Sequence, residues 1–366
     1  MDARELVEHV SQNDQRLAIL RALSERPGTP SELADRVSID RTPVYTAIGG
    51  LEQCGGVVSL DGRRKLTAAG HIPVEETLDA CEAVGREPIA YLAASTGNKR
   101  LRILEGLADS VGRADMLRDD DFPARSTINR TMEDFKTFGW IVDSPQNELT
   151  DDGRAVYDRY TDLISAVEIA VAKREYLCHV DPLKIDLPIN LIADGEVVKS
   201  RPNRPTRAIE HTHERMREGF DHAKVFSSYY SKEGVTAMWE AVEDGATWEA
   251  VTALPSHIPL PESTTEIRHF RMGLGSDAVA WQIYPDELPM DLIIFDDDRV
   301  LLGGDQELES TRRGATLDST NPELIAWVDD LYESHKQQAS EPLDYLLDPI
   351  RENGLCKALR LDWVQS

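Results

Sequence analysis

The chain has 366 residues, and its 66 Asp+Glu outweigh 40 Lys+Arg to leave a net charge of −26. That length is enough for two or three domains, each with its own core. No run reaches 18 apolar residues, the opening MDARELVEHV has no apolar signal core, and Cys54, Cys81, Cys178 and Cys356 lie far apart without a CxxC pair, which argues against a membrane span, a secretory leader, a disulfide framework and a structural zinc site.

Residues 14–70 carry the most informative pattern. Leu17, Leu20 and Leu23 recur at helical spacing beside Ile19, predicting an amphipathic first helix. Pro27-Gly28 ends it. Thr29, Pro30 and Glu32 form a capping box with proline at the first helical position, opening a second helix over 30–37 that buries Leu33, Ala34 and Val37. A turn at Ser38–Asp40 leads into a third helix with Val44, Ile48 and Leu51 inward and Arg41, Thr42, Tyr45 and Thr46 on the opposite face. Those are side chains that reach phosphates and base edges from a major groove. Strands at Val57–Leu60 and Lys65–Thr67 flank Asp61-Gly62, a strong hairpin signal. The hairpin places Arg63, Arg64 and Lys65 where a wing would lie along a phosphate backbone. The predicted unit is a winged helix-turn-helix over residues 1–70. A three-helix module that docks a protein instead of DNA is the open alternative.

The pattern recurs 84 residues later. Arg100-Leu101-Arg102-Ile103-Leu104 follows Arg16–Leu20, Gly112 follows Gly28, Arg125-Ser126 follows Arg41-Thr42, and Gly139 follows Gly55. A constant offset across a whole domain marks an internal repeat, so a second winged helix is predicted over 97–153. Its recognition face keeps Arg125, Ser126, Asn129 and Arg130, but its wing, Asp143–Glu148, has no basic residue. DNA contact and a scaffolding role both remain open for this copy. Residues 71–96 between the copies read as a helical connector broken near Gly85–Pro88.

Residues 154–182 read as a long linker helix. Val156, Tyr160, Leu163, Val167, Ala170 and Val171 form an apolar stripe, which predicts a homodimer. From 183 to 340 strand-like and helical runs alternate, as an α/β domain requires. Strands are predicted at 189–192, 223–226, 248–252, 266–271, 279–283, 292–295 and 299–302. Helices are predicted at 206–220, 232–243 and 322–336. The tail, 341–366, has two apolar patches that read as docking helices. The fold class is thus α+β and multidomain. Residues 1–70 hold nine Lys/Arg against ten Asp/Glu, whereas residues 161–366 hold 20 against 38, so the acidity lies mainly outside the predicted reader.

The search for chemistry returns little. Met290–Gly304 reads as strand, acidic turn, strand and Gly-Gly, resembling the second strand pair of the phospholipase D fold. Aligning Asp296 with that fold's Asp puts Pro289 and Asp291 where its His and Lys belong, and neither can act as nucleophile or phosphate clamp. His222-Ala223-Lys224 spells His-x-Lys elsewhere, with Tyr229 in place of the Asp. The resemblance implies the fold without the enzyme. Three adjacent aspartates, Asp296–Asp298, read as a solvated turn rather than a cation site. His211 and His213 cannot share a helix face, and His257 beside Ser256 does not make a triad. No catalytic, metal or cofactor site is expected. Trp239, Trp248, Trp281 and Tyr284 read as core, with a ligand pocket as the alternative.

On Thr29–Thr46, Asp61–Lys65, Ile209–Phe220 and Met290–Gly304 the chain resembles haloarchaeal winged-helix transcriptional regulators with a C-terminal Fil-type methanogenesis-regulator sensor domain, loosely similar to the TrmB family. The Lys-poor acidic surface also resembles proteins of a high-salt cytoplasm. The resemblance implies a cytoplasmic, sequence-specific regulator of transcription that binds double-stranded DNA. It also implies an unknown small-molecule or protein effector acting on the 183–340 domain. Rival readings are a protein-interaction scaffold and a degenerate phospholipase-D-like hydrolase.

Overall fold

Each element of the N-terminal half has a twin about 83 residues on. The computed structural model describes residues 1–142, 147–228, 232–253, 277–304 and 314–342, and the chain divides into two units, Met1–Arg174 and Glu175–Ser366. The first unit opens with α1 (Ala3–Ser11), an element the sequence reading passes over. Its signal was the capping box of Asp2 with Glu5 ahead of Leu6, Val7 and Val10. Then come α2 (Asp14–Glu25), α3 (Pro30–Arg36), α4 (Arg41–Gln53), β1 (Val57–Leu60), β2 (Arg63–Leu66) and α5 (Ala68–Val84). The second copy runs α6 (Arg86–Ala93), α7 (Lys99–Ala108), α8 (Arg113–Met116), α9 (Arg125–Thr137), an isolated bridge between Ile141 and Leu149, and α10 (Asp151–Ala172). The capping box at Thr29 and Glu32 forms as expected. The hairpin turns on Asp61 and Gly62, both at positive φ, the two-residue geometry that matches strand twist. β2 starts two residues earlier than predicted, because Thr67 leaves the strand to sit at the N-cap of α5.

The same two devices join hairpin to helix in both copies. The Thr67 hydroxyl donates to the Gly55 carbonyl at 2.8 Å, and the Thr150 hydroxyl to the Gly139 carbonyl at 2.8 Å. A Cβ on Gly70 would lie 2.1 Å from the Gly56 oxygen, and one on Gly153 2.1 Å from the Trp140 oxygen, so only glycine lets the backbones approach.

Two sequence assignments change. Residues 71–96 are not a connector but the last helix of one copy and the first helix of the next, separated at Gly85 (φ +90). The helix read as 154–182 ends at Ala172 and is the last element of the second copy. Its stripe of Val156, Tyr160, Leu163 and Val167 is buried in the core of its own chain, chiefly against α5, so it leaves no apolar face for the partner chain that the stripe suggested.

The second unit follows a short α11 (Arg174–Leu177) and contains β3 (Glu196–Lys199), α12 (Arg207–Arg217), β4 (His222–Ser227), α13 (Lys232–Glu243), β5 (Thr247–Ala253), β6 (Val279–Tyr284), β7 (Leu292–Phe295), β8 (Arg299–Leu302), β9 (Ala315–Ser319) and α14 (Pro322–Lys336). The strand order is β3-β9-β8-β7-β4-β5-β6. Only β4, β5 and β6 pair in parallel; the other neighbours are antiparallel. α12 and α13 cover one face, over Ala223, Val225, Ile293, Phe295 and Leu301. α14 contacts β5, β6 and β8 and sets Tyr332 edge-on to Phe226, the Phe226 side chain lying one step from Val225 and so on the opposite face. Ile189–Ile192, predicted as a strand, is a 3₁₀ turn. β3 and β9 were not predicted. The predicted strand at 266–271 and both tail patches lie outside the described residues, as do Ser256, His257 and Tyr229.

Candidate nucleic-acid interface

α4 buries Val44, Ala47, Ile48 and Leu51 and leaves Arg41, Thr42, Tyr45 and Thr46 exposed. Tyr45, at 55 % exposure, is among the few large apolar side chains of the chain so placed. Asp40 precedes α4 without capping it by its side chain, whereas Asp2, Asn13 and Thr29 cap α1, α2 and α3. The first N–H groups of α4 therefore remain available to an outside acceptor, where the helix dipole favours an anion.

α1 fixes α4 from behind. His9 Nε2 donates to the Ala47 carbonyl at 2.7 Å, and Arg16 donates to His9 Nδ1 at 3.1 Å. Gly50 makes room for the ring, since a Cβ there would stand 2.7 Å from His9 Cε1. Burial, with the Arg16 charge adding to it, holds the imidazole below its ordinary pKa against the opposing effect of the Ala47 bond.

The wing is less basic than its sequence suggests. Arg63 pairs with Glu32 at 3.2 Å and also donates to the Pro27 carbonyl at 2.9 Å. Arg64 meets Glu52 at 2.6 Å and the Ser59 hydroxyl at 2.8 Å. Lys65 also has interactions of its own. Glu32 is held below the usual carboxylate range by the Thr29 N–H first and by Arg63. Sequence reasoning found Glu32 as a cap and missed its second role as a wing partner, although its position one helix away from the hairpin was legible. Glu52 gave no signal.

In the second copy Arg125, Ser126 and Arg130 are exposed on α9. Asn129 is half-buried, and its side-chain oxygen accepts from Arg113 at 2.7 and 3.2 Å. α9 also starts without a side-chain cap. Of the second wing, residues 143–146 lie outside the described set. Tyr91 of α6 donates to Asp134 of α9 at 2.7 Å and shares an aromatic cluster with Phe135, Phe138 and Trp140. Among the described residues, no carboxylate pairs with Arg41, Arg125 or Arg130.

The α/β unit spends its polar side chains on itself. His222 Nδ1 faces the Thr247 hydroxyl at 3.0 Å. Lys224 binds Asp329, with Glu333 at 3.7 Å and Asp297 at 4.0 Å. Burial would lower the Lys224 pKa, but these carboxylates together hold it above the ordinary value. Asp296 accepts from the N–H groups of Asp221 (2.9 Å) and His222 (2.8 Å), which gives the acidic turn a structural task, and both Asp296 and Asp297 are at positive φ. Asp291 accepts from Ser228 N–H at 2.7 Å. Asp318, buried, takes His211 at 2.8 Å, Arg215 at 3.1 Å and Arg299 at 3.3 Å. Trp239 and Trp248 stack edge-on in the core, and the Trp281 indole donates to Thr252 at 2.9 Å. Tyr284 packs on His335. An open cleft of about 470 Å³ is lined by Asp194 and residues 319–323. The N-terminus of α14 at its edge is already capped by Asn321. Among the described residues, no cluster of three His, Cys, Asp or Glu is placed to hold a metal, and no helix is long and apolar enough to cross a membrane.

Residues 4–88 and 86–172 each match the family model of the HVO_A0261 N-terminal domain. Residues 205–338 match the middle domain of the methanogenesis regulatory protein FilR1. No curated protein matches the chain. Among solved structures, the archaeal chromatin protein TrmBL2, described as showing a novel mode of DNA binding, is 10 % identical over 93 % of this chain and 100 % of its own, with a TM-score of 0.33. Nuc from Salmonella typhimurium, a phospholipase D family member, is 14 % identical over 40 % of this chain and 98 % of its own, with a TM-score of 0.30. NucT from Helicobacter pylori is 12 % identical over the same shares, with a TM-score of 0.32. These structural likenesses are too distant to carry an argument.

Proposed function

We propose that the chain is a sequence-specific, double-stranded-DNA-binding regulator of transcription, built from two tandem winged helix-turn-helix units and an α/β sensor unit. The observation that carries this reading is the outer face of α4. Arg41, Thr42, Tyr45 and Thr46 stand exposed on one helix whose N-terminus is uncapped, beside a two-stranded hairpin. Arginine and polar side chains at the first turns of a recognition helix are the groups that read base edges and phosphates. The match of residues 205–338 to a domain of a protein named as a regulator supports a regulatory role for the second unit. An effector, of small-molecule or protein class, acts there in this reading. The unit is not catalytic in it, because both members of its His-x-Lys pair are engaged in internal contacts. The acidic, arginine-rich surface fits a cytoplasm of high salt.

The test is selection from a randomised 30-base-pair duplex library with the purified full-length protein, followed by affinity measurement on the enriched duplex. The doubly substituted Arg41→Ala/Tyr45→Ala protein should melt like the parent and bind about ten- to a hundredfold more weakly. A library that shows no enrichment, or a variant that binds as the parent does, rejects the reading and favours winged helices that dock protein.

A further inference from the structure

The contacts between the two copies are reciprocal. Arg4, at the start of α1, donates to the Ala93 carbonyl at the end of α6 at 2.7 Å. Arg86, at the start of α6, donates to the Ser11 carbonyl at the end of α1 at 3.2 Å. Both members of the second pair lie 82 residues beyond, in exchanged order, the members of the first. This is residue i on j and j on i, the signature of an isologous interface. α5 and α10 pack on each other as the largest helix–helix contact of the unit. Across them Glu76 faces Arg159 at 3.9 Å. Glu76 and Arg159 are 83 residues apart, the same offset that relates Gly70 to Gly153 and Thr67 to Thr150. A position that meets its own counterpart lies on the two-fold axis. Asp79, the neighbour of Arg159 at 3.9 Å, has Asp162 as its counterpart, and Asp162 acts electrostatically on Glu76. The interface is therefore that of a symmetric dimer, written into one chain.

The relation extends to the exposed faces. Arg41 opens α4 and Arg125 opens α9, at an offset of 84 residues, and each helix is uncapped and 13 residues long. Both arginines are exposed and without a carboxylate partner among the described residues. Each helix is also held by the element before its own copy, α4 through His9 of α1 and α9 through Tyr91 of α6, and α1 and α6 are the pair that packs across the axis. The halves differ in one respect. The first copy has Tyr45 and Thr46 where the second has Asn129, tied to Arg113, and Arg130.

We infer that residues 1–174 form a covalently linked pseudo-dimer that lets one chain address two inverted half-sites of a DNA duplex, α4 taking a strong half and α9 a weak one. A two-fold protein on DNA requires half-sites in inverted order, separated by a whole number of helical turns. Because the two halves are not identical, the two half-sites are unequal in sequence. A free chain needs no partner to complete the pair. The inference rests on the DNA-binding reading of α4 and adds α9 as a second DNA-contacting surface.

The experiment uses the full chain and the duplex enriched in the library selection. Sedimentation of the complex should give one chain per duplex, and hydroxyl-radical footprinting should show two protected patches around a pseudo-dyad. Arg125→Ala/Arg130→Ala should erase the weaker patch and lower affinity by about tenfold. On a duplex in which the weaker block is scrambled the same variant should bind as the parent does. Both arginines are exposed and unpaired, so the variant folds, and a melting curve checks this. Two chains per duplex with one block each, or full affinity in the α9 variant, overturns the inference and leaves the regulator reading standing. Failure of the library to enrich any duplex removes both.

Discussion

At the scale of single residues, His9 shows how a side chain far from any surface chemistry sets the orientation of the helix that carries it. Its ring is neutral with the proton on Nε2, because Nε2 must donate to Ala47 and Nδ1 must accept from Arg16. Protonating Nδ1 would turn that acceptor into a donor against a guanidinium. Burial and Arg16 accordingly keep the folded-state pKa below the ordinary value of 6.5. A histidine depressed in the folded state binds its proton more readily when unfolded, so acid favours unfolding. His9 therefore contributes stability that is complete above the unfolded-state pKa and declines as pH falls through about 6.5. The melting temperature should fall between pH 7.5 and pH 5.5, and the fall should shrink in His9→Gln, whose amide also donates but does not titrate. Superimposable pH profiles for parent and variant would refute this role. The wing arginines illustrate the converse. Exposed ion pairs such as Arg63–Glu32 are worth less than about 1 kcal/mol, so they do little for stability, yet they bring Glu32 and Glu52 beside any phosphate that the wing approaches.

At the scale of elements, the packing of α10 decides what its stripe is for. Leu163 and Val167 are fully buried, and Tyr160 nearly so. They face α5, α1 and α7 within the same unit. Leu163→Ala should cost about 2–5 kcal/mol, the range for a buried leucine that leaves a cavity. Its melting temperature should be independent of protein concentration, since the face it weakens lies inside one chain. A stripe that covered a second chain would instead make the transition concentration-dependent, and dilution series of parent and variant distinguish the two. The sequence made α2, α3, α4 and the hairpin legible because caps, Pro-Gly and Asp-Gly are local signals. It also exposed the repeat through the constant offset. It misassigned α5, α6 and α10 because a helical stripe announces that something covers it but not which helix. Gly85, at φ +90, marked the break between α5 and α6 but could not reveal that a copy ended there. β3 and β9 escaped because Glu196–Lys199 is only four residues long and Ala315–Ser319 carries Thr316, Asp318 and Ser319 into a buried strand. The buried Asp318 is compensated only by His211, Arg215 and Arg299, all distant in sequence. The exposed face of α4 was readable in full. The neutralisation of Arg63 and Arg64 was not, since ion pairs between a hairpin and a helix depend on tertiary placement.

At the scale of the whole molecule, a net charge of −26 opposes the approach of DNA, and it limits how much affinity phosphate contacts can supply. Each phosphate neutralised adds about −0.9 to the slope of log affinity against log salt. The cations of the two recognition helices without carboxylate partners among the described residues are Arg41, Arg125 and Arg130, whereas Arg63 and Arg64 are matched by Glu32 and Glu52. Three contacts predict a slope of about −3, so a tenfold rise in salt weakens binding roughly 500-fold, against about ten-million-fold for a protein with eight contacts. The lost electrostatic affinity has to come from base contacts and from engaging two half-sites at once, which salt screens little. Binding to the enriched duplex, followed by fluorescence anisotropy from 0.1 to 1 M KCl (about one decade of screening), should give this shallow slope. Arg63→Ala/Arg64→Ala should leave the slope nearly unchanged. A slope steeper than about −6 in the parent, relieved in that variant, would mean that the wing pairs open on binding and that both arginines transfer from Glu32 and Glu52 to phosphate.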